Sequence, residues 1–226
     1  MELEELKAIN ISNMKSFNEE EKLQVLQIWF SNSFPIGAYA YSHGLESMID
    51  DKLINSFEDV HEYIKSIIFY GTCKNDFIFI KSTYQGLDIN ELALAICASK
   101  ERKMESLALG NAFRKVLSES WGYKLPINTA FPVAIAKAGM DFNISLKLIS
   151  TFYLQSFISN LINVCIKHIP LGQKVGQDCL MESIGLINQF LYESKNYSLQ
   201  NLGSICFNSD MHSIKHENLF SRVYSS

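Results

Sequence analysis

The segment from Asn143 to His168 constrains the fold more than any other. Between Phe152 and Ile169 its apolar residues run nearly all the way round a helical wheel, which marks a helix covered by protein on most sides. Gln155, Ser156, Ser159, Asn160, Asn163 and Lys167 interrupt the stretch, and a membrane span should not carry so many polar groups. A buried helix of this length needs other helices around it.

The rest of the chain supplies them. Glu21–Phe30 carries Leu23, Val25, Leu26, Ile28, Trp29 and Phe30, and Leu45–Ile54 carries Leu45, Met48, Ile49 and Leu53 at helical spacing. Ser56 reads as an N-cap, with Asp59 three residues on, for a helix through Val60, Ile64, Ile67 and Ile68 that ends near Gly71. Asn75-Asp76 is expected to open a helix that Gly86 stops, and Asp88 to cap the next. A long segment, Glu101–Ser120, follows, then a short one at Phe131–Ala138 between turns marked by Gly122, Pro126 and Pro132. Asn143 is expected to cap the central helix, and Pro170 to separate it from a last long one over Leu171–Tyr192. No strand alternation occurs. The expectation is an all-α fold: one multi-helix domain over residues 21–226, a C-terminal docking tail over 207–226, and a flexible acidic segment over 1–20.

Charge and composition exclude several functions. A net charge of -4 with no basic stripe argues against nucleic-acid binding. Met1-Glu2-Leu3-Glu4-Glu5 does not resemble a secretory leader. Cys73, Cys97, Cys165, Cys179 and Cys206 are odd in number, far apart and without a Cys-x-x-Cys pair, so they read as reduced, buried thiols of a cytoplasmic protein. No nucleophile elbow, phosphate loop or dinucleotide fingerprint is present. Only 19% of residues are charged, which leaves more neutral and apolar surface for protein contacts.

Four segments carry unusual composition. Phe34-Pro35-Ile36-Gly37-Ala38-Tyr39-Ala40-Tyr41-Ser42-His43-Gly44-Leu45-Glu46 packs turn formers, aromatics and a histidine between two helices. Gly122–Pro126 and Ala130–Ala134 form a rigid, aromatic-bearing connector. Gly172 and Gly176 lie four apart, as do Gln173 and Gln177, and so share helix faces that admit a close backbone or an amide hydrogen bond. The tail from Met211 to Tyr224 includes Ile214, Leu219, Phe220 and Tyr224, too apolar for a free end. His212 and His216 share a helix face at a metal-chelating spacing, but no His-Glu-x-x-His pattern or third ligand accompanies them.

In order along the chain, these segments resemble the UreF family of urease accessory proteins. The runs Phe34–Ala38 and Tyr41–Glu46 resemble its N-terminal signature, and Gly122-Tyr123 with Phe131–Ala134 its middle. Pro170-Leu171-Gly172-Gln173 with Gly176-Gln177 resembles a late helix start, and Met211, His216-Glu217 and Ser221-Arg222 its closing motif. Tyr39 stands where Phe is frequent, Lys215 where Arg is common, and Val223-Tyr224 replaces Leu-Phe. The resemblance implies a non-enzymatic, all-helical, dimer-forming scaffold. It would bind UreD (also called UreH), recruit and modulate the GTPase UreG, and dock on apo-urease for nickel insertion, with no resident cofactor. Carried onto this chain, the partner-binding set is Phe34, Pro35, Tyr39, Tyr41, His43, Glu46, Gly172, Gln173, Gly176, Gln177, Met211, His216, Glu217, Phe220, Arg222 and Tyr224. A transient nickel contact would fall to His212 and His216. Two other readings remain: a helical metal-dependent enzyme built on His43, His168, His212 and His216, and a generic helical binding module.

Overall fold

A computed structural model describes residues 17–170, 172–216 and 223–225, and among these there are helices and no strands. The α-helices are α1 (Glu19–Trp29), α2 (Leu45–Asp50), α3 (Phe57–Tyr70), α4 (Thr72–Tyr84), α5 (Asn90–Ala95), α6 (Lys100–Ser120), α7 (Phe131–Asp141), α8 (Leu146–His168), α9 (Gly172–Glu193) and α10 (Phe207–His216). Short 3-10 turns occupy Ala38–Ala40, Ser194–Asn196 and Leu199–Asn201.

The apolar helix is the hub. α8 packs against α1, α2, α3, α4, α7 and α9, and buries Ile149, Leu154, Ile158, Leu161, Ile162 and Val164. It is long and apolar enough to cross a membrane by length and composition, yet here its neighbours are other helices. Each fully buried Leu, Ile or Phe contributes roughly 1.5–3 kcal/mol. One end of the core is aromatic. Trp29, with no solvent exposure, meets Phe113 edge-on with ring centroids 5.3 Å apart and Phe142 at 5.2 Å. Phe17 joins this cluster through Phe142, and α1 begins at Glu19, so part of the acidic segment expected to be flexible belongs to the fold. Residues 1–16 lie outside the described residues.

Local chemistry explains the helix ends. Asn18 and Ser56 each accept from the backbone N–H three residues on, and Glu21 and Asp59 return the bond, giving two capping boxes. Three expected starts shift. Asn75 and Asp76 do not open α4; they lie inside it, buried, because the helix begins at Thr72. The residue before α5 is Ile89, not Asp88, and makes no side-chain cap bond. Asn143 is not the cap of α8: it takes the left-handed conformation (φ 56°) that closes α7, with Asn143 and Ile144 donating to the carbonyls of Met140 and Gly139. Ser145 caps α8 instead, accepting from Leu148 at 3.3 Å.

Against α8, α9 makes the closest pairing. Gly176 permits it: a Cβ there would stand 2.2 Å from Ile166 Cδ1 and 2.7 Å from Ile166 Cγ1. Gly172 does something different. It is exposed and left-handed (φ 77°), starting the helix rather than packing it.

Candidate functional site

Beyond α9 the chain turns back across the molecule. Gly203 N–H donates to Asn75 Oδ1 at 3.0 Å, Ile205 N–H to the Tyr70 carbonyl at 3.2 Å, and Cys206 Sγ to the Ser66 carbonyl at 3.2 Å. These contacts lead α10 over α2 and the start of α6.

The loop before α2 is shaped to receive α10. Gly44 has φ 78°, and a Cβ on it would lie 2.6 Å from the Ser213 amide nitrogen and 2.9 Å from the Ser209 carbonyl oxygen. Ser209 Oγ and Tyr63 Oη both donate to the His43 carbonyl at 3.3 Å, and Ser213 Oγ pairs with Ser99 Oγ at 2.8 Å. At the end of α10, His216 is completely buried. Its Nε2 lies 3.0 Å from Glu46 Oε2 on α2, and its Nδ1 3.1 Å from Glu101 Oε2 on α6. Glu46 also accepts from Val223 N–H at 2.8 Å and Tyr224 N–H at 3.1 Å, and Ser225 N–H donates to the Ala40 carbonyl at 2.7 Å. Burial alone would raise the Glu46 carboxyl, but hydrogen bonds from His216, Val223 and Tyr224 outweigh it and hold the group below its ordinary value.

A second buried polar group supports the loop from beneath. Arg102 donates to Asp76 Oδ2 at 2.8 Å and Glu105 Oε1 at 2.9 Å, and Tyr153 Oη donates to Asp76 at 2.7 Å. His43 places Nε2 3.3 Å from Glu105 and its ring 4.4 Å from that of Phe157. Burial, then the nearby Arg102, push the His43 ring well below its ordinary value, so it is neutral near pH 7. Burial dominates at Asp76 too, raising its carboxyl despite Arg102 and Tyr153.

The residues singled out in sequence therefore divide. Phe34, His43, Glu46, His216 and Tyr224 are buried and bind the loop and tail to the fold, and Tyr41 is half-buried. Gly176 is buried against α8. Pro35, Tyr39, Gly172, Gln173, Gln177 and Met211 are exposed. Glu217, Phe220 and Arg222 lie outside the described residues. The four histidines do not converge. His43 faces Glu105, the His168 ring lies tilted beside Tyr224 with centroids 5.5 Å apart, His212 Nδ1 meets Ser47 Oγ at 3.0 Å, and the two ring nitrogens of His216 face different carboxylates. Among the described residues no three His, Cys, Asp or Glu side chains are grouped to hold a metal ion.

Sequence reasoning missed Asp76, Glu101, Arg102 and Glu105 as site residues. Asp76 carried a signal: a carboxylate in front of the apolar run Phe77-Ile78-Phe79-Ile80 must be paired when buried. Glu101 and Arg102 sit in a helix rich in charge and look solvated in sequence.

Residues 54–184 match the UreF family model. The chain belongs to the UreF family. It is 32% identical over 211 residues to a urease accessory protein UreF of Ruegeria pomeroyi, covering 91% of this chain and 97% of that one. A UreF of Roseobacter denitrificans is 31% identical, covering 87% and 90%, and one of Sinorhizobium medicae is 29% identical over 224 residues, covering 94% and 100%. The loop before α2 and the helix α10 lie outside the stretch that the UreF model matches, on either side of it, whereas Ser99 and Glu101, which they meet, lie within it.

Proposed function

We propose that this chain serves urease maturation as a scaffold and transforms no substrate. With UreD/UreH it recruits the GTPase UreG onto apo-urease and modulates it. The chain pairs with a second copy of itself in the cytoplasmic complex, and nickel is cargo of that complex rather than a resident ligand. The observation that carries this reading is the seated tail. The contacts that bury His216 and Glu46 leave Phe207, Met211 and Ile214 exposed on α10 at spacings of four and three, an apolar stripe held on a fixed support. Exposed Tyr39 and Pro35 on the loop extend the set of anchors.

The test is co-purification with UreD/UreH from cells expressing the urease accessory proteins. A chain ending before Met211 is expected to lose UreD/UreH while keeping its helical circular dichroism. Retained capture by that truncated, folded chain would overturn the reading.

A further inference from the structure

Phe207 belongs to two surfaces. It opens the exposed stripe of α10, and it also borders a groove of about 540 Å³ beside α3. One wall of the groove is a single face of α3, on which Asp59, Glu62, Tyr63, Ser66, Ile67 and Tyr70 recur at helical spacing. The other wall is the segment from Ile205 to Ser209, fixed by its hydrogen bonds to the Tyr70, Ser66 and His43 carbonyls. Met48, Ile54 and Ile67 are buried beneath, whereas Leu53, Tyr70, Ile205 and Phe207 are 50–72% exposed. Four large apolar side chains left in water around one groove mark a contact site.

Shape and charge select the occupant. From Asp59 to Tyr70 the wall runs eleven helical steps (70 minus 59), roughly 16 Å or three turns. Among the described residues there is no strand whose edge could pair with an extended chain, so the groove recognises by side-chain packing, as helix-binding grooves do. Its described lining includes two carboxylates, Asp59 and Glu62, and no Lys or Arg. Asp59 gives Oδ2 to the amides of Asn55 and Ser56, and Glu62 meets Lys65 at 3.7 Å in an exposed pair of small worth. A cation brought to this end of the groove gains from both carboxylates. We propose that the groove between α3 and the Ile205–Ser209 segment receives a basic amphipathic helix of UreD/UreH. Its apolar side chains lie toward Ile67 and Tyr70, and a lysine or arginine lies at the Asp59–Glu62 end. This deepens the reading of α10 given above and rests on it, because the stripe and the groove share Phe207.

The test is a photo-crosslink in the assembled complex. Ile205→p-benzoylphenylalanine places the probe at a site 65% exposed on the groove wall, in the full-length chain mixed with UreD/UreH. The expected product joins residue 205 to a UreD/UreH segment with a lysine or arginine in a helical apolar repeat. A crosslink to a second copy, to residues 1–16 of the same chain, or to an acidic segment of UreD/UreH overturns the proposal, and so does a complex that yields no crosslink. Point variants separate the groove from the stripe. Leu53→Lys and Glu62→Lys are expected to weaken capture of UreD/UreH at least tenfold, with helical circular dichroism and α10 protection unchanged. If both bind as the unaltered chain does while Met211→Asp does not, the groove proposal is overturned and the α10 reading stands. If Met211→Asp binds normally while the other two do not, the stripe reading fails and the groove is upheld.

Discussion

Gly44 and Ser213 approach so closely that no side chain fits between their backbones. A Cβ on Gly44 would stand 2.6 Å from the Ser213 nitrogen, and the glycine is left-handed besides. Gly44→Ala should therefore unseat α10 while leaving the distant core intact. The left-handed backbone and the overlap together cost about 2–4 kcal/mol. The check is proteolysis or hydrogen exchange confined to residues 203–216, with unchanged protection in α8.

Removal of the Arg102 guanidinium leaves Asp76 and Glu105 buried without their cation. Arg102→Met is expected to destabilise the fold by about 3–5 kcal/mol, read from the denaturant midpoint. Tyr153→Phe removes one donor from Asp76 and should cost less, about 1–3 kcal/mol. The two losses should not add, since both act on one carboxylate.

Acid should loosen the terminus. The depressed Glu46 carboxyl contributes stability that is fully present above the unfolded-state value and is lost as pH falls through the lower folded value. Protection of the Val223 and Tyr224 amides should accordingly decline below about pH 4. Glu46→Gln should remove that acid dependence and lower protection at pH 7.

Two glycines with similar sequence settings should behave differently. Gly176→Ala should destabilise by about 1–3 kcal/mol because its methyl meets Ile166, and Ile166→Ala in the same chain should relieve that overlap. At Gly172 nothing lies within 4 Å, so alanine meets only the left-handed backbone and costs about 1 kcal/mol. Thermal denaturation of the three variants checks both statements.

The buried thiols should be inert. Burial pushes the Cys165 thiol up to about 12 and Cys73 well above its ordinary value. Neither should react with iodoacetamide at pH 8 until the chain is unfolded, and rapid native labelling of Cys165 would contradict its place in the core.

The helices were legible because burial leaves a period. The apolar wheel of α8, the Ser56–Asp59 box and the glycine stops at 71 and 86 each report a local constraint. The Asn143 cap was misread because Asn serves equally at a helix start and in the left-handed position after a helix end. The latch was only half visible. Glu46 and His216 stood out in their motifs, but Glu101 is 115 residues from His216, and no local pattern reports a contact of that range. The Gly44 approach to α10 was hidden for the same reason, 169 residues separating it from Ser213 (213 minus 44).

The central claim is that this chain works while held against other proteins. Size-exclusion chromatography with light scattering, on the purified chain mixed with UreD/UreH and UreG, tests it most directly. The account predicts one co-eluting assembly containing all three. A chain that is folded, with α10 seated, and still elutes alone in that mixture would contradict it.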